Sequence, residues 1–392
     1  MKNIAVSTKS QCSGCGACVS VCAASAIRLD INPYGYYQAY VDENKCLSCG
    51  LCQNVCARFL EEPVGVDIRK SRLFALQSSQ SETVKRCSSG GAAHEIALWA
   101  LAHDYLLCGA IYDLETYTVR HTITDDISLL DGSKYLQSET TAFAEVLKKA
   151  REGQHFAVFG VPCQIAGLAI AAELTGCRDR LLLIEIFCHG VPTYKLWEKE
   201  CEVVKKKLKC SRFDEVRFRY KKYGWHSYCL RFRKKEKTYY GSRERDLFYR
   251  AYFEDILLNG ACLECKARQE SSLADIRLGD YWGKRYQDRN DGVSVAFCNN
   301  EKAADILTQL SIQQLPVGTA KEVLSCQNMQ GYHCQALHDA AMSVLAKDGI
   351  EASIRYYRAR LPMKQKIKSI VLLLFSLLPG FVRVKVRAIR KI

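Results

Sequence analysis

The sequence predicts an α/β fold, α+β when the whole chain is considered, with a small cysteine-rich module in front of a larger body. Three observations support this prediction. Eight of the 21 cysteines occupy two copies of one spacing within residues 1–62. From Arg72 onward, apolar runs of strand length alternate with helical periods. After Phe213, charged and apolar residues alternate, which is typical of an antiparallel hairpin inserted in the body.

The N-terminal module is defined by its cysteines. Both copies have the spacing C-x2-C-x2-C-x3-C, and they lie 34 residues apart. This spacing is typical of bacterial ferredoxins with two 4Fe-4S clusters, in which the fourth cysteine of each run binds the other cluster. We therefore assign cluster one to Cys12, Cys15, Cys18 and Cys56, and cluster two to Cys46, Cys49, Cys52 and Cys22. Zinc on two C-x2-C pairs would leave the third cysteine of each run unused, so the module is predicted to transfer single electrons.

The predicted elements follow from the periodicity. Within the module, residues 35–41 form a strand between the two cluster loops, and residues 63–71 are a linker. The body contains strands at 72–76, 106–112, 117–124, 155–160, 181–187, 215–220, 276–280 and 293–299, a hairpin at 227–240, and helices at 91–104, 140–151, 164–174, 195–208, 243–258 and 302–310. Strands this apolar favour a central, largely buried sheet. We expect three domains, at residues 1–62, 72–200 and 201–360, followed by a tail at 361–392.

Charge is unevenly distributed over the chain, whose net charge is +14. Residues 203–250 hold 17 basic against 5 acidic side chains. No nucleic-acid-binding module accompanies this charge, so nucleic acid is excluded as a partner. A basic face that docks an acidic ferredoxin or holds an anionic substrate is one interpretation, and ordinary solvated strand faces are the other. Residues 1–10 have no apolar segment of signal-peptide length, so we expect reduced thiols in the cytoplasm.

Four further cysteines are expected at one edge of the sheet. Cys163 follows the strand at 155–160, Cys188 follows the strand at 181–187, and Cys262 and Cys265 precede the strand at 276–280. Ligands of open α/β sheets bind at such strand ends. The four thiols are therefore predicted to hold a third 4Fe-4S cluster. Zinc on the same set, with His189 in place of one cysteine, and unligated buried thiols are the alternatives.

Two glycine-containing segments each precede a predicted helix. The first is Cys87, Ser88, Ser89, Gly90 and Gly91, and the second runs from Gly132 through Ser138. Backbone N–H groups at a helix N-terminus bind phosphate, and Lys134 adds charge. An ordinary loop and helix cap is the alternative. The Rossmann fingerprint, the P-loop and the C-x2-C-H motif of c-type haem are absent from the sequence.

Taken in order, these motifs resemble the coenzyme F420 hydrogenase/dehydrogenase beta-subunit family, in its bacterial version with an N-terminal two-cluster ferredoxin module. The motifs are 88–91, 132–135 with Gln137 and Ser138, 160–164, 187–190, 262–265 and 275–283, and the resemblance covers most of residues 1–300. It implies an FAD-binding body over 72–200, an iron–sulfur cluster, and electron transfer between clusters and a deazaflavin. Similar proteins reduce chlorophyll-type substrates with ferredoxin. The flavin contacts that it implies are Ser88, Ser89, Gly90, Gly91, Ser133, Lys134, Tyr135, Gln137 and Ser138.

The function expected is that of an iron–sulfur flavoprotein oxidoreductase. Electrons from ferredoxin or another carrier pass through 4Fe-4S clusters to FAD and on to an organic acceptor, because a flavin converts single-electron into two-electron chemistry. Oxidation of reduced coenzyme F420 and a non-catalytic electron-transfer subunit are the alternatives. His189 is the candidate proton donor by motif, and a structural histidine is the competing interpretation.

The tail contains an apolar segment at 370–382, with 13 nearly unbroken apolar positions between basic flanks. As a helix it spans about 20 Å, short of the roughly 30 Å of a bilayer core. We expect it not to cross a membrane. Peripheral contact with an anionic inner leaflet is one interpretation, and packing against the body or in an oligomer is the other.

Overall fold

The computed structural model describes residues 2–6, 12–59, 65–268, 270–327 and 334–376. Its strands, numbered in chain order, are β1 Ile27–Ile31, β2 Tyr37–Val41, β3 Val66–Asp67, β4 Arg72–Ser78, β5 Tyr105–Tyr112, β6 Val119–Thr124, β7 Ser138–Glu139, β8 His155–Gly160, β9 Leu181–Ile186, β10 Glu215–Tyr220, β11 Cys229–Lys234, β12 Lys237–Ser242, β13 Ser271–Ser272, β14 Ile276–Asp280, β15 Ser294–Cys298 and β16 Ile312–Leu315.

Its α-helices are α1 Ala17–Ser20, α2 Leu51–Asn54, α3 Ser81–Arg86, α4 Ala92–Ala102, α5 Ile127–Leu130, α6 Ala142–Arg151, α7 Pro162–Leu174, α8 Tyr194–Leu208, α9 Leu247–Phe253, α10 Gly260–Leu263, α11 Glu301–Thr308, α12 Ala320–Ser325, α13 Gln335–Arg360 and α14 Met363–Ser376. Helix α13 is interrupted at Gly349, where φ is 80°.

The main sheet has nine strands in the order β16-β4-β15-β14-β9-β8-β5-β6-β7. Its centre, β14-β9-β8-β5, is parallel, whereas β15, β4, β16 and β6 pair antiparallel. The fold is therefore mixed α/β with one large mixed sheet. The strands come from both sides of residue 200, so the boundary expected there runs through a single sheet.

Both faces of the sheet are covered by helices. Phe156 and Val158 of β8 pack with α6 and α7 on one face, and Ala157 packs with α4 and α11 on the other. Successive side chains of a strand point to opposite faces, so a strand buried on both faces must be apolar throughout. This explains why the central strands appear in the sequence as continuous apolar runs.

A second, three-stranded antiparallel sheet, β10-β11-β12, packs against α8 and α9. The contact is aromatic, since Trp197 stacks on Phe218 and Phe232 with ring centroids 4.7 and 5.5 Å apart. The helix predicted at 243–258 is too long. Asp246 caps the N-terminus of α9, and positive φ values at Asp255 and Leu257 end the helical region.

The N-terminal module packs directly on the body. Gln137 Nε2 donates to the carbonyl oxygens of Ser13 (2.8 Å) and Tyr37 (3.1 Å), and Tyr37 N donates back to Gln137 Oε1 at 2.6 Å. A Cβ on Gly167 of α7 would lie 2.6 Å from the Cβ of Ala17 in α1. The module is thus held by a hydrogen-bonded strand edge and by a close contact between helices.

Only part of the apolar tail lies within the described residues. Residues 370–376 belong to α14, and 377–392 lie outside the described part of the chain. Met363, Ile367, Ile370 and Leu374 are exposed, and their spacing places them on one face of the helix. Among the described residues, no helix combines the length and the apolar character needed to cross a bilayer.

Gly167→Ala is expected to lower the thermal stability of the protein, although alanine is the better helix former by about 1 kcal/mol. The added methyl group would overpack the contact with Ala17, and overpacking typically costs about 1–3 kcal/mol. The midpoint of thermal unfolding checks this, with Glu173→Ala on the exposed side of the same helix as control. A midpoint for Gly167→Ala above that of the wild type would contradict the close packing.

Candidate functional site

The first cysteine set of the module surrounds one small cavity, which is lined by Cys12, Cys15, Cys18 and Cys56. Gly14 and Gly16 have φ values of 64° and 75°, and a Cβ on Gly16 would lie 2.0 Å from the Thr140 hydroxyl oxygen. Glycine therefore allows this loop to fold tightly while it packs on the body. Burial raises the pKa of the Cys15 thiol to about 12, and the thiols of Cys56 and Cys12 contribute to the increase.

The second cysteine set, Cys22, Cys46, Cys49 and Cys52, lies nearer the surface. Burial raises the pKa of Cys52, and the thiols of Cys49 and Cys22 raise it further. Asn3 Nδ2 donates to Cys46 Sγ at 3.5 Å. Cys49 is exposed, as are the neighbouring Leu47 and Leu51. An external partner can therefore approach this set.

The third cysteine set comes from three separate segments. Cys163 lies in the first turn of α7 after β8, Cys188 follows β9, and Cys262 and Cys265 lie in and just after α10. Burial raises the pKa of Cys163 well above its ordinary value, and the thiols of Cys15, Cys265, Cys188 and Cys262 raise it further. The four sulfur atoms are thus within electrostatic reach of one another. Cys15 of the first set is also within reach.

The first and third cysteine sets are positioned by some of the same residues. Asn259 Nδ2 donates to the carbonyl oxygen of Cys12 at 3.2 Å, and Asn259 Oδ1 accepts from Ala261 N at 2.9 Å as the N-cap of α10. A Cβ on Gly167 would lie 3.5 Å from Cys15 Sγ. Both sets are therefore positioned by the same short segments, and their separation is fixed by packing.

Arg268 and His189 tie together the loops of the third set. Arg268 donates to the carbonyl oxygens of His189 and Cys262. Burial raises the pKa of Cys188 to about 11, and the nearby cation of Arg268 acts in the opposite direction. His189 Nε2 lies 2.6 Å from Asp255 Oδ1. The contact with Asp255 fixes the imidazole ring beside the cysteines.

Tyr252 of α9 connects the third set to the loop that carries Tyr135. Its ring stacks on Tyr135 with centroids 5.1 Å apart at 30°, and it contacts the ring of His189 edge-on at 5.2 Å. Burial raises the pKa of Tyr252, with Tyr135 and the thiol of Cys188 adding to the shift. The Tyr252 side chain therefore lies between Tyr135 and His189, the residue that follows Cys188.

The two glycine-containing segments meet. Ser133 N and Ser133 Oγ donate to Ser88 Oγ at 2.8 and 3.0 Å. Gly91, with φ of 90°, is the N-cap of α4 and offers no side-chain hydrogen bond there. A Cβ on Gly90 would lie 2.4 Å from the carbonyl oxygen of Leu76. Lys134 Nζ donates to the carbonyl oxygen of Leu130 at 2.8 Å, and burial lowers its pKa to about 8.

Part of the basic stretch at 203–250 faces inward. Arg217 and Arg219 lie on β10 and Lys221 lies just beyond it, with a β-bulge between Arg217 and Tyr220 that interrupts the regular alternation of side chains. Arg217 Nη1 donates to the carbonyl oxygen of Arg86 at 3.2 Å, and Lys221 Nζ to that of Ser89 at 2.9 Å. Arg219 Nη1 donates to Asp280 Oδ2. These cations line the glycine loop, so they do not form a solvated strand face.

Gln137 and Ser138 lie beside the N-terminal module. The amide of Gln137 contacts Ser13 and Tyr37, and Ser138 Oγ accepts from Gln164 Nε2 at 2.8 Å. Ser89 Oγ donates to the carbonyl oxygen of Val293 at 2.8 Å. The expected flavin contacts thus fall into two groups, one at the loop junction of Ser88 and Ser133 and one at the contact with the module.

Cys87, His94 and Asp131 form a buried cluster with ligand atoms within 4.8 Å of one another. His94 Nδ1 lies 2.9 Å from Asp131 Oδ1, and Arg86 Nε lies 2.6 Å from Asp131 Oδ2. The guanidinium already neutralises this carboxylate. The cluster therefore serves as an ion-pair network that anchors the start of the glycine loop.

Sequence reasoning missed several residues of this region. They are Arg219, Tyr228, Tyr249, Tyr252, Asn259 and Arg268. The close spacing of the cations Arg217, Arg219 and Lys221 was a usable signal, since a charged side chain that the fold buries must find acceptors. The aromatic residues of α9 gave no such signal, because buried aromatic residues usually form cores.

Comparison with known proteins identifies both parts of the chain. Residues 11–58 match the 4Fe-4S dicluster domain. Residues 153–320 match the family described as coenzyme F420 hydrogenase/dehydrogenase, C terminus of the beta subunit. The body of the chain is thus similar to this hydrogenase and dehydrogenase family over residues 153–320, and the N-terminal cysteine sets are those of a 4Fe-4S dicluster domain.

One similar solved chain occurs in the xenon-derivatised F420-reducing NiFe hydrogenase complex from Methanosarcina barkeri. The identity is 15%, the TM-score is 0.46, and the match covers 74% of this chain and 93% of that chain. Among curated proteins there is no match.

Cys163→Ser and Cys262→Ser are each expected to lower the iron content by about four atoms per chain, because each would remove a ligand of the third 4Fe-4S cluster that the sequence predicts. Iron and zinc are quantified after anaerobic purification. Cys201→Ser is the control, since Cys201 is buried in the aromatic core away from the three sets. An unchanged iron content in the two variants, or a loss of zinc instead of iron, would contradict the prediction of a third cluster.

Proposed function

We propose that this protein is an iron–sulfur flavoprotein oxidoreductase that takes electrons from ferredoxin or another one-electron carrier. Two 4Fe-4S clusters in the module and a third on Cys163, Cys188, Cys262 and Cys265 lead to FAD, which serves an organic acceptor. The observation that supports this most strongly is the order of the sites along the body. Cys15 of the first set is close enough to help raise the pKa of Cys163, and the ring of Tyr252 contacts both His189, which follows Cys188, and Tyr135.

A third cluster fits this series better than zinc does. Four cysteines are a complete ligand set for either metal centre. Burial and the neighbouring thiols raise the pKa of Cys188 and of Cys262, so their thiolate forms need a central cation, and four cysteines are the residues that would hold one. Zinc has no redox chemistry, so a zinc ion between the first cysteine set and Tyr252 would interrupt electron transfer between them.

Electrons enter through the second set in this proposal. Cys49, Leu47 and Leu51 are exposed, whereas the cysteines of the first set are half-buried or buried. A carrier can therefore approach the second set most closely. The same sites conduct in the reverse direction, so oxidation of a reduced deazaflavin would use the identical route.

FAD supplies the conversion between one- and two-electron transfer. The residues that would hold it are Ser88, Ser89, Gly90, Gly91, Ser133, Lys134 and Tyr135, together with Gln137 and Ser138 at the contact with the N-terminal module. They fit an anionic cofactor for two reasons. The N-terminus of α4 at Gly91 has no side-chain cap, so its N–H groups are available for phosphate, and Lys221 lies against the same loop.

His189 acts as a positioning residue in this proposal. Its ring is engaged by Asp255 at 2.6 Å and packs on Tyr252. These contacts orient the loop of Cys188. They favour a structural role over that of the proton donor.

Anaerobic purification is expected to yield about twelve irons and about one FAD per chain, as three 4Fe-4S clusters and one flavin require. Iron, sulfide and flavin are quantified on the same sample. The alternative of a non-catalytic electron-transfer subunit requires about eight irons and no flavin, and that composition would refute the proposed enzyme.

We also propose that α14 contacts a membrane surface. Four exposed apolar residues on one face, Met363, Ile367, Ile370 and Leu374, lie beside Lys364 and Lys366. An amphipathic helix with lysines at its apolar boundary binds anionic lipid interfaces. A membrane-proximal acceptor would suit this arrangement.

The double variant Ile370→Glu/Leu374→Glu is expected to lose co-sedimentation with vesicles that contain about one third anionic lipid, because it places two charges on the apolar face. Gln365→Glu adds negative charge off this face and is the control. Equal sedimentation of the double variant and the wild type would rule out the contact, as would the absence of any preference of the wild type for anionic over neutral vesicles.

A further inference from the structure

A positive charge lies beside the first cysteine set. Arg58 follows Cys56 by two residues, and it lines the same small cavity as Cys12, Cys15, Cys18 and Cys56. Of the described residues that line this cavity, Arg58 is the one with a permanently charged side chain. Arg58 is half-buried, so solvent screens its charge only in part.

The Arg58 cation acts on the sulfur atoms of this set. Burial raises the pKa of Cys56, whereas the backbone N–H of Arg58, which donates to the sulfur, and the Arg58 cation both act to lower it. Burial lowers the pKa of Arg58 itself, and the charges of Cys56 and Cys12 oppose this effect. The guanidinium is therefore within electrostatic reach of two sulfur atoms of the first set.

One carboxylate of the body also acts on Arg58. Glu264, which lies between Cys262 and Cys265 of the third set, opposes the lowering of the pKa of Arg58. Glu264 is exposed, and water weakens the interaction of exposed charges. The carboxylate therefore offsets the positive charge beside the first set only in part.

The two sets of the module differ in exposure. Cys49 of the second set is exposed, whereas the cysteines of the first set are half-buried or buried. A reduced 4Fe-4S cluster carries one more negative charge than an oxidised one, and burial disfavours that charge. Burial alone would therefore give the first set the lower reduction potential, and an electron would stay at the second set. A cation beside the first set acts in the opposite direction.

We propose that Arg58 raises the reduction potential of the cluster held by the first cysteine set, so that an electron that enters at the second set passes inward to the first. This inference rests on the proposed function, in which the second set receives electrons from the carrier. One electron leaves the cluster of the second set and enters that of the first, while Arg58 keeps its proton and no bond forms or breaks.

The size of the effect follows from electrostatics. A unit charge roughly 10 Å from another changes an equilibrium constant by roughly tenfold at an effective dielectric constant of about 20. For a one-electron couple, a tenfold change corresponds to about 59 mV. Removal of the Arg58 charge is therefore expected to lower the midpoint potential of the first set by about 59 mV.

The test compares the full-length wild type with Arg58→Gln, Arg58→Lys and Lys45→Gln. Lys45 is the matched control, because it directly precedes Cys46 of the second set, but its side chain is 64% exposed and lies 3.7 Å from Asp42. The iron content of each protein is measured after anaerobic purification. The midpoint potentials of the clusters are then measured in a redox titration monitored by electron paramagnetic resonance.

Two cysteine variants assign the midpoints to the sets. Cys49→Ser removes a ligand of the second set, and Cys163→Ser removes a ligand of the proposed third cluster. The midpoint that disappears in each variant belongs to that set. The midpoint that persists in both variants belongs to the first set.

Arg58→Gln is expected to lower the midpoint of the first set by about 59 mV at unchanged iron content, and Arg58→Lys, which keeps the charge, should retain most of the wild-type value. Lys45→Gln should leave every midpoint unchanged, because water screens its exposed charge. If Arg58→Gln loses iron while Arg58→Lys retains it, the inference is supported, since the anionic cluster then depends on the positive charge.

An unchanged midpoint of the first set in Arg58→Gln at full iron content would overturn this inference and leave the proposed function intact. An equal decrease in Lys45→Gln would also overturn it, since the effect would then be one of net charge. Loss of iron from both Arg58 variants would do the same, because the loop would then require arginine whatever its charge. A wild-type protein that contains no iron would refute the proposed function and this inference together.

Discussion

The structure depends on the burial of cysteine sulfur. Burial raises the pKa of Cys15 to about 12 and that of Cys163 well above its ordinary value, and neighbouring thiols raise both further. Without a central cation these thiols would stay protonated, because thiolates this close together in a dry environment repel one another. Iron reverses this balance in the N-terminal module, because a bound metal is the largest local charge and deprotonates its thiols. Metal binding should therefore be coupled to the folding of this module.

The sheet supplies the rigid frame for this edge. β8, β9 and β14 are neighbouring parallel strands, and their carboxyl ends lead to Cys163, Cys188 and the segment after Asp280. Below the cysteines, Glu185 of β9 pairs with Arg277 of β14, both with almost no exposure. Such a pair costs desolvation and stabilises little by itself, but it fixes the register of the two strands. The close approach of Gly167 to Ala17 then places the module against the frame.

The sequence predicted what local patterns determine. The strands at 155–160, 215–220 and 276–280 coincide with β8, β10 and β14, because strands of continuous or alternating apolar character are recognisable without their partners. The short strand β1, which pairs with the nearby β2, was missed. The strand β16 was also missed because it depends on a distant contact, since its partner β4 lies more than 200 residues earlier. The overlong helix at 243–258 has a similar cause. The left-handed conformations at Asp255 and Leu257 are imposed by the loop that His189 and Asn259 hold in place.

Two buried arginines differ in how completely the fold satisfies their N–H groups. Arg277 has Glu185 and the carbonyl oxygen of Ala267 as partners, and its ring contact is Phe187, in the interior of the body. Arg219 has Asp280 alone, with half-buried groups such as Trp282 and Tyr135 around it. Composition could not distinguish them, since both contribute one positive charge within a basic chain. What distinguishes them is the number of N–H groups that the fold satisfies, and for Arg219 the fold leaves an entire edge unsatisfied.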